Sequence, residues 1–131
     1  MVIVYLIAVP LIAHGLAHLS GVFAPWSSGG QSFADTAWLF SNGVTFHSMF
    51  SRVYSLVWLA ATAGLVLAGV EVILRQRNWV PVAIVGCLLS LAAILPWWKA
   101  VPPGAKVGVA FDLVVLVLLL SPLGTKIAQL V

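Results

Sequence analysis

The stretch Val53-Tyr54-Ser55-Leu56-Val57-Trp58-Leu59-Ala60-Ala61-Thr62-Ala63-Gly64-Leu65-Val66-Leu67-Ala68-Gly69-Val70 lies between Arg52 and Glu71 and carries no charge. An apolar run of roughly 18 residues or more is long enough to cross a hydrocarbon core as an α-helix. Arg52 on one side, and Arg75 and Arg77 on the other, put cations where headgroups would lie. The pattern predicts a membrane helix over residues 48–74. Ala60, Gly64 and Ala68 recur every four residues along it. Such a small-residue stripe lets a second helix backbone come close.

Working outward, three more apolar segments repeat the pattern, over residues 2–24, 79–98 and 105–120. The predicted fold is all-α: a single integral membrane four-helix bundle over residues 1–131, with a long first connection at 25–47. Composition agrees. Hydrophobic residues make up 63% of the chain and charged residues 7%, with mean hydropathy +1.16. A soluble domain carries roughly 25% charged residues, so water is the wrong solvent for this surface and the lipid bilayer is the expected partner. The net charge of +3 comes from six Lys and Arg placed at segment edges. That is a pattern of boundary anchors and not of a nucleic-acid surface. Cys87 is the one cysteine, so an internal disulfide is excluded, and it reads as a small core residue.

The first segment has no basic residue before its apolar run and carries two histidines. It reads as a retained helix and not as a cleaved leader. Pro10 predicts a mild kink inside it, and Pro25 with residues 26–30 predicts its end. The connection is polar, yet Phe33, Trp38, Leu39, Phe40 and Phe46 predict that it lies on the bundle end or at headgroup level. Asn78 is the expected N-cap of the third helix, with Pro81 in its first turn. Trp79 at one end and Trp97, Trp98 and Lys99 at the other read as interface anchors. Residues 101–104 and 121–124 carry chain-breaking Pro and Gly. Glu71 and Arg75 stand four apart and predict a surface ion pair.

Four spans put both termini on one side. Arg75, Arg77 and Lys126 fall on that side, and Arg52, Lys99 and Lys106 on the other. The dense Arg75-Gln76-Arg77 turn favours cytoplasmic termini in the cell (inner) membrane.

The polar residues inside these segments are the candidates for function. His14 and His18 stand four apart on the first helix and so share a face. Two imidazoles at that spacing suit a transition metal, or one suits a haem iron. Gly15 and Gly21 leave little bulk around them, so a helix or a ligand can approach. Asp112 lies two turns into the fourth helix, roughly 10 Å deep at 1.5 Å per residue. An ionisable group at that depth faces the bundle interior and finds a partner. Antiparallel topology puts the end of helix one, the start of helix two, the end of helix three and the start of helix four on one side. His18, His47, Arg52 and Asp112 therefore gather in one half of the bundle. His14 sits deeper, level with Cys87 and Ser90. Arg52 is a candidate proton partner or support for Asp112, and His47 a possible further ligand. The bland readings are that His14, His18 and Asp112 only pin helices together, and that His47 is an interfacial loop residue. No Cys-x-x-Cys, nucleotide loop, Gly-x-Ser-x-Gly or His-Glu-x-x-His occurs. With three acidic residues in all, a hard-cation site is disfavoured.

The segment His14-Gly15-Leu16-Ala17-His18-Leu19-Ser20-Gly21 resembles the HGxxHxxG first helix of a group of small bacterial four-helix membrane proteins. Trp58-Leu59-Ala60-Ala61, Trp97 and the Gly108-x-x-x-Asp112 placement extend the resemblance over most of the chain. It implies the four-helix fold and a shared role for His14, His18, Gly21 and Asp112, and it implies no reaction. The first connection varies in that group, so His47 is not carried over.

Two readings of function follow. In one, His14 and His18, supported by Asp112, hold a transition metal, a haem or another polar ligand inside the bundle. In the other, the same groups pin the first helix to the fourth, and the small-residue stripe docks a non-catalytic accessory subunit into a larger membrane complex. Transport or lipid modification is a third reading. A chain this small would need to form a homo-oligomer to build a pathway. Whether it is an enzyme is left open by these residues.

Overall fold

The computed structural model describes residues 2–27, 33–101 and 103–131. The expected breakers at 28–30 and at 102 lie outside the described residues. The chain forms α1 (Val2–Ala17), α2 (Leu19–Phe23), a 3-10 turn (Ala24–Trp26), strands β1 (Ala37–Trp38) and β2 (Ser41–Thr45), α3 (Met49–Ile73), α4 (Trp79–Ile94), a 3-10 turn (Leu95–Trp97), α5 (Gly104–Leu120) and α6 (Leu123–Gln129). Val2–Trp26, Met49–Ile73 and Trp79–Trp97 are long and apolar enough to cross a membrane. α5 and α6, bent by 88°, reach that standard only when taken together as one broken span.

Several expectations are corrected. The first segment stays helical through Pro10 and is interrupted at His18, where no break is expected. The fourth does not end the chain's helical structure, because Ser121 breaks it and Pro122 starts α6. The fold is not purely helical, since β1 and β2 form a small antiparallel hairpin in the connection. Asn78 makes no side-chain cap bond, whereas Ser48 caps α3 by accepting from the Ser51 amide at 3.4 Å. Trp79 and Trp97 are not interface anchors but core residues, 2% and 0% exposed. The connection covers Trp97, and Ile127 of α6 packs against the cluster that holds Trp79.

α3 is the central helix, with α1 on one side and α4 on the other, and α5 packs on α4. Close approach of helix backbones lets dispersion act along the whole contact. The small-residue stripe serves this end within the chain. A Cβ on Gly64 would stand 3.0 Å from Gly86 Cα, Ala68 is fully buried, and only Ala60 faces outward. A Cβ on Gly15 would stand 3.0 Å from Leu65 Cβ, so α1 meets α3 as closely.

The described part of the connection packs on the end of α4. Leu39 N–H donates to the Pro96 carbonyl at 3.0 Å, and Ala34 N–H to the Ala100 carbonyl at 2.9 Å. Phe46 is fully buried between Phe33 and Trp97, with ring centroids 5.2 Å away on each side. These aromatics account for the apolar content noted in the sequence.

Glu71 and Arg75 do not pair among the described residues. Arg75 has φ 53°, Gln76 N–H donates to the Glu71 carbonyl at 2.9 Å, and Arg75 N–H donates to the Val72 carbonyl at 3.1 Å. This is a Schellman helix end with arginine at the left-handed position that glycine prefers. Arg75→Gly is therefore expected to raise stability by about 1 kcal/mol, read as a higher midpoint of unfolding in detergent. A lower midpoint would show that the arginine side chain outweighs its backbone strain.

Candidate functional site

The interruption in the first helix builds the site. His18 N–H donates to the Gly15 carbonyl at 3.2 Å, while its ring Nδ1 donates to the His14 carbonyl at 2.9 Å. The ring replaces the amide donor that an unbroken helix would offer that carbonyl. The His18 carbonyl in turn accepts from Gly21 and Val22, and α2 begins. Gly21 is needed here, because a Cβ would overlap the six-membered ring of Trp58. Trp58 thus lies directly on the helix, its ring 5.5 Å from that of His18.

Three more side chains converge on the imidazoles. Ser90 Oγ of α4 lies 2.8 Å from His18 Nε2 and 3.2 Å from His14 Nε2. Asp112 of α5 places Oδ1 3.0 Å from His14 Nε2, and its Oδ2 accepts a hydrogen bond from Ser90. Cys87 of α4 neighbours the same carboxyl group. His14 and His18 rings meet edge to face at 4.8 Å, and Phe111 lies against His14 at 4.6 Å. Asp112 and Ser90 are 0% exposed and His18 2%, while the His14 side chain keeps 12%.

This cluster forms a polar layer between two apolar ones. Leu11, Leu65, Cys87 and Leu116 belong to the core cluster on the side of the termini. Ala24, Trp58, Ala93 and Ala105 belong to the cluster under the connection. At the polar level α3 supplies Ala61 and Thr62, and Thr62 satisfies its hydroxyl on the Trp58 carbonyl at 3.0 Å.

A cavity of about 330 Å³ opens beside the layer, between the first helix and α5. His14, His18, Ser20 and Trp58 line one wall, and Gly104 and Gly108 the other. A Cβ on Gly108 would stand 3.2 Å from His14 Cε1, so the glycine keeps that ring accessible. Beyond Phe111 a second cavity of about 260 Å³, almost wholly apolar, continues the same seam.

The structure brings His14, His18 and Asp112 together and leaves Arg52 and His47 out. Arg52 Nε donates to the Pro25 carbonyl at 3.3 Å, and its guanidinium lies 5.4 Å from the Trp26 ring centre. It ties the end of the first helix to α3 and does not reach Asp112. His47 pairs with Asp35, ring Nδ1 to Oδ1 at 3.0 Å, while its amide donates to the same oxygen at 2.9 Å. Ser90 is the residue that sequence reasoning placed at the right level without assigning a role. Its signal was a lone hydroxyl in an otherwise apolar helix.

Asp35 lies outside the apolar segments, and the His47 amide bond holds its carboxyl below the usual carboxylate range, with the His47 ring adding to the effect. A depressed folded pKa means the contact is complete above the ordinary Asp range and is lost as pH falls through the lowered value. The His47 amide proton shift is expected to follow that titration, with a midpoint below that of a free aspartate, and to lose the transition in Asp35→Asn. A midpoint at the free-aspartate value would contradict the bond.

Among the described residues, no group of three or more His, Cys, Asp or Glu side chains is arranged to hold a metal ion. Both Nε2 atoms are engaged by Ser90 and Asp112, so a bis-histidine metal or haem site would require this network to open. Comparison with family models, with curated proteins and with solved structures finds no match.

Proposed function

We propose that the chain is a four-span membrane bundle with cytoplasmic termini, α5 and α6 forming a broken fourth span, whose His14–His18–Ser90–Asp112 cluster binds the polar end of a lipid-soluble ligand. The observation that supports this most is the cavity on the seam between the first helix and α5, with the imidazoles in its wall and Ser90 and Asp112 behind them. Pockets of this kind combine mostly apolar walls with a few placed polar groups. His14 Nε2 is committed to the cluster, and its Nδ1 has no partner among the described residues. That nitrogen offers an acceptor for a hydroxyl or N–H of the ligand. The apolar cavity beyond Phe111 suits the ligand's hydrocarbon part.

The test is to purify the protein in native lipid discs and identify co-isolated amphiphiles by mass spectrometry. One enriched species in wild type, lost in His14→Ala and in the cavity-filling Gly108→Leu, is expected. A Soret band or stoichiometric metal lost with His14→Ala would replace this reading by a metal site. No enriched species together with fixed partner subunits would replace it by the accessory role.

A further inference from the structure

The hydrogen bonds of the buried cluster can be counted in protons. His18 Nδ1 meets a carbonyl oxygen, so it carries a hydrogen. His14 Nε2 meets Asp112 Oδ1, and one hydrogen there serves both Oδ1 and, more weakly, Ser90 Oγ. Ser90 Oγ then has two further close partners, His18 Nε2 and Asp112 Oδ2. A hydroxyl has one hydrogen and two lone pairs. With both imidazoles neutral and Asp112 ionised, the cluster holds three protons: His18 Nδ1–H, His14 Nε2–H and Ser90 O–H. Ser90 would then satisfy one of its two partners and face the other lone pair to lone pair. Between groups as buried as Ser90, Asp112 and His18, that contact is strongly unfavourable.

We infer that the cluster binds one further, exchangeable proton, so that the Asp112 charge is cancelled inside the bundle. Two arrangements place it. In the first, Asp112 is a neutral acid that donates from Oδ2 to Ser90, and Ser90 donates to His18 Nε2. In the second, His18 is an imidazolium that donates from Nε2 to Ser90, and Ser90 donates to the Asp112 carboxylate. The two interconvert by one concerted shift. Asp112 O–H breaks as Ser90 O–H forms, while the old Ser90 O–H breaks as His18 N–H forms. No proton enters or leaves, and total charge stays at zero. In the second arrangement the cation stands on His18, in the cavity wall, with its counter-ion behind it. The groups facing Asp112 and His18 are His14 from α1, Cys87 and Ser90 from α4, and the Trp58 ring from α3, which carries no titratable group. His14 could supply a positive charge toward Asp112 only by binding a proton at its own Nδ1, and that would leave Ser90 still facing one partner lone pair to lone pair; the remaining groups carry no positive charge.

The test uses the full chain in lipid discs, with Asp35→Asn and His47→Gln introduced so that Asp112 and the two imidazoles are the sole labelled groups of their kind. Carboxyl-labelled aspartate read by infrared spectroscopy reports whether Asp112 is protonated, and nitrogen-15 histidine NMR reports how many hydrogens each ring carries. One additional proton at neutral pH, on Asp112 or on His18 or exchanging between them, is the expected result. An ionised Asp112 beside two singly protonated rings overturns the inference, as does an ionised Asp112 with the extra hydrogen on His14, and so does a protonated Asp112 beside a doubly protonated ring. If the doubly substituted chain does not fold, the same spectra of the unsubstituted chain contain one extra aspartate and one extra histidine, which the single variants Asp35→Asn and His47→Gln identify by the signal each removes.

Discussion

Asp112→Ala is expected to destabilise the bundle by about 3 kcal/mol or more, the usual cost of removing one partner of a buried pair. The carboxyl group is 0% exposed and holds His14 from one oxygen and Ser90 from the other. Alanine leaves the buried Ser90 hydroxyl and His14 Nε2 without this partner. Asp112→Asn should differ sharply. Its amide oxygen accepts from His14, its N–H donates to Ser90, and Ser90 remains free to donate to His18, so every partner is satisfied without an added proton. We expect its stability to stay within about 1 kcal/mol of wild type, measured by denaturant titration in micelles. Equal losses in the two variants would mean that the hydrogen bonds around Asp112 are not what stabilises this layer.

Gly21→Ala should also be severe. The new Cβ would sit within the Trp58 ring. Trp58 is itself 3% exposed and packed in the core under the connection, so neither side can give way cheaply. Overpacking of this kind costs about 1–3 kcal/mol and occasionally more. Trp58→Ala alone should cost about 3–5 kcal/mol through the cavity it leaves. Because the two changes act on one contact, the double variant should lose at least about 1 kcal/mol less than the sum of the singles. Strict additivity would show that Gly21 is tolerant and that the first helix can move away from α3.

Much of the helix layout was legible in the chain because apolar length is a local property. The bounds Met49–Ile73 and Gly104–Leu120 fall within a residue of the pattern in the sequence. The departures have local physical causes that only packing makes decisive. Pro10 predicts only a mild kink and nothing marks His18 as a break, yet the helical hydrogen bonding is interrupted there, where the ring serves the His14 carbonyl. Trp79 and Trp97 carry the composition of interface anchors but are covered by α6 and by the connection. Glu71 and Arg75 have the spacing of an ion pair, but Arg75 is turned into the left-handed region to close the helix.

For the site, sequence alone determined that His14 and His18 share a face, that Asp112 lies well inside its helix, and that both sit in apolar surroundings where ionisable groups need partners. Those conclusions follow from helical periodicity and from the cost of an unpaired charge in lipid. Which partner each would take was decided only by tertiary structure. In the sequence, Arg52 and His47 are the named candidates, Ser90 is placed only at the level of His14, and chain distance does not rank them. α4 brings the Ser90 hydroxyl between both imidazoles and the carboxyl group, while Pro25 and Asp35 claim Arg52 and His47 at the rim. The physical reason is depth: a hydrogen bond between groups on different helices exists only where their levels in the bundle coincide, and that coincidence is a property of how the helices pack.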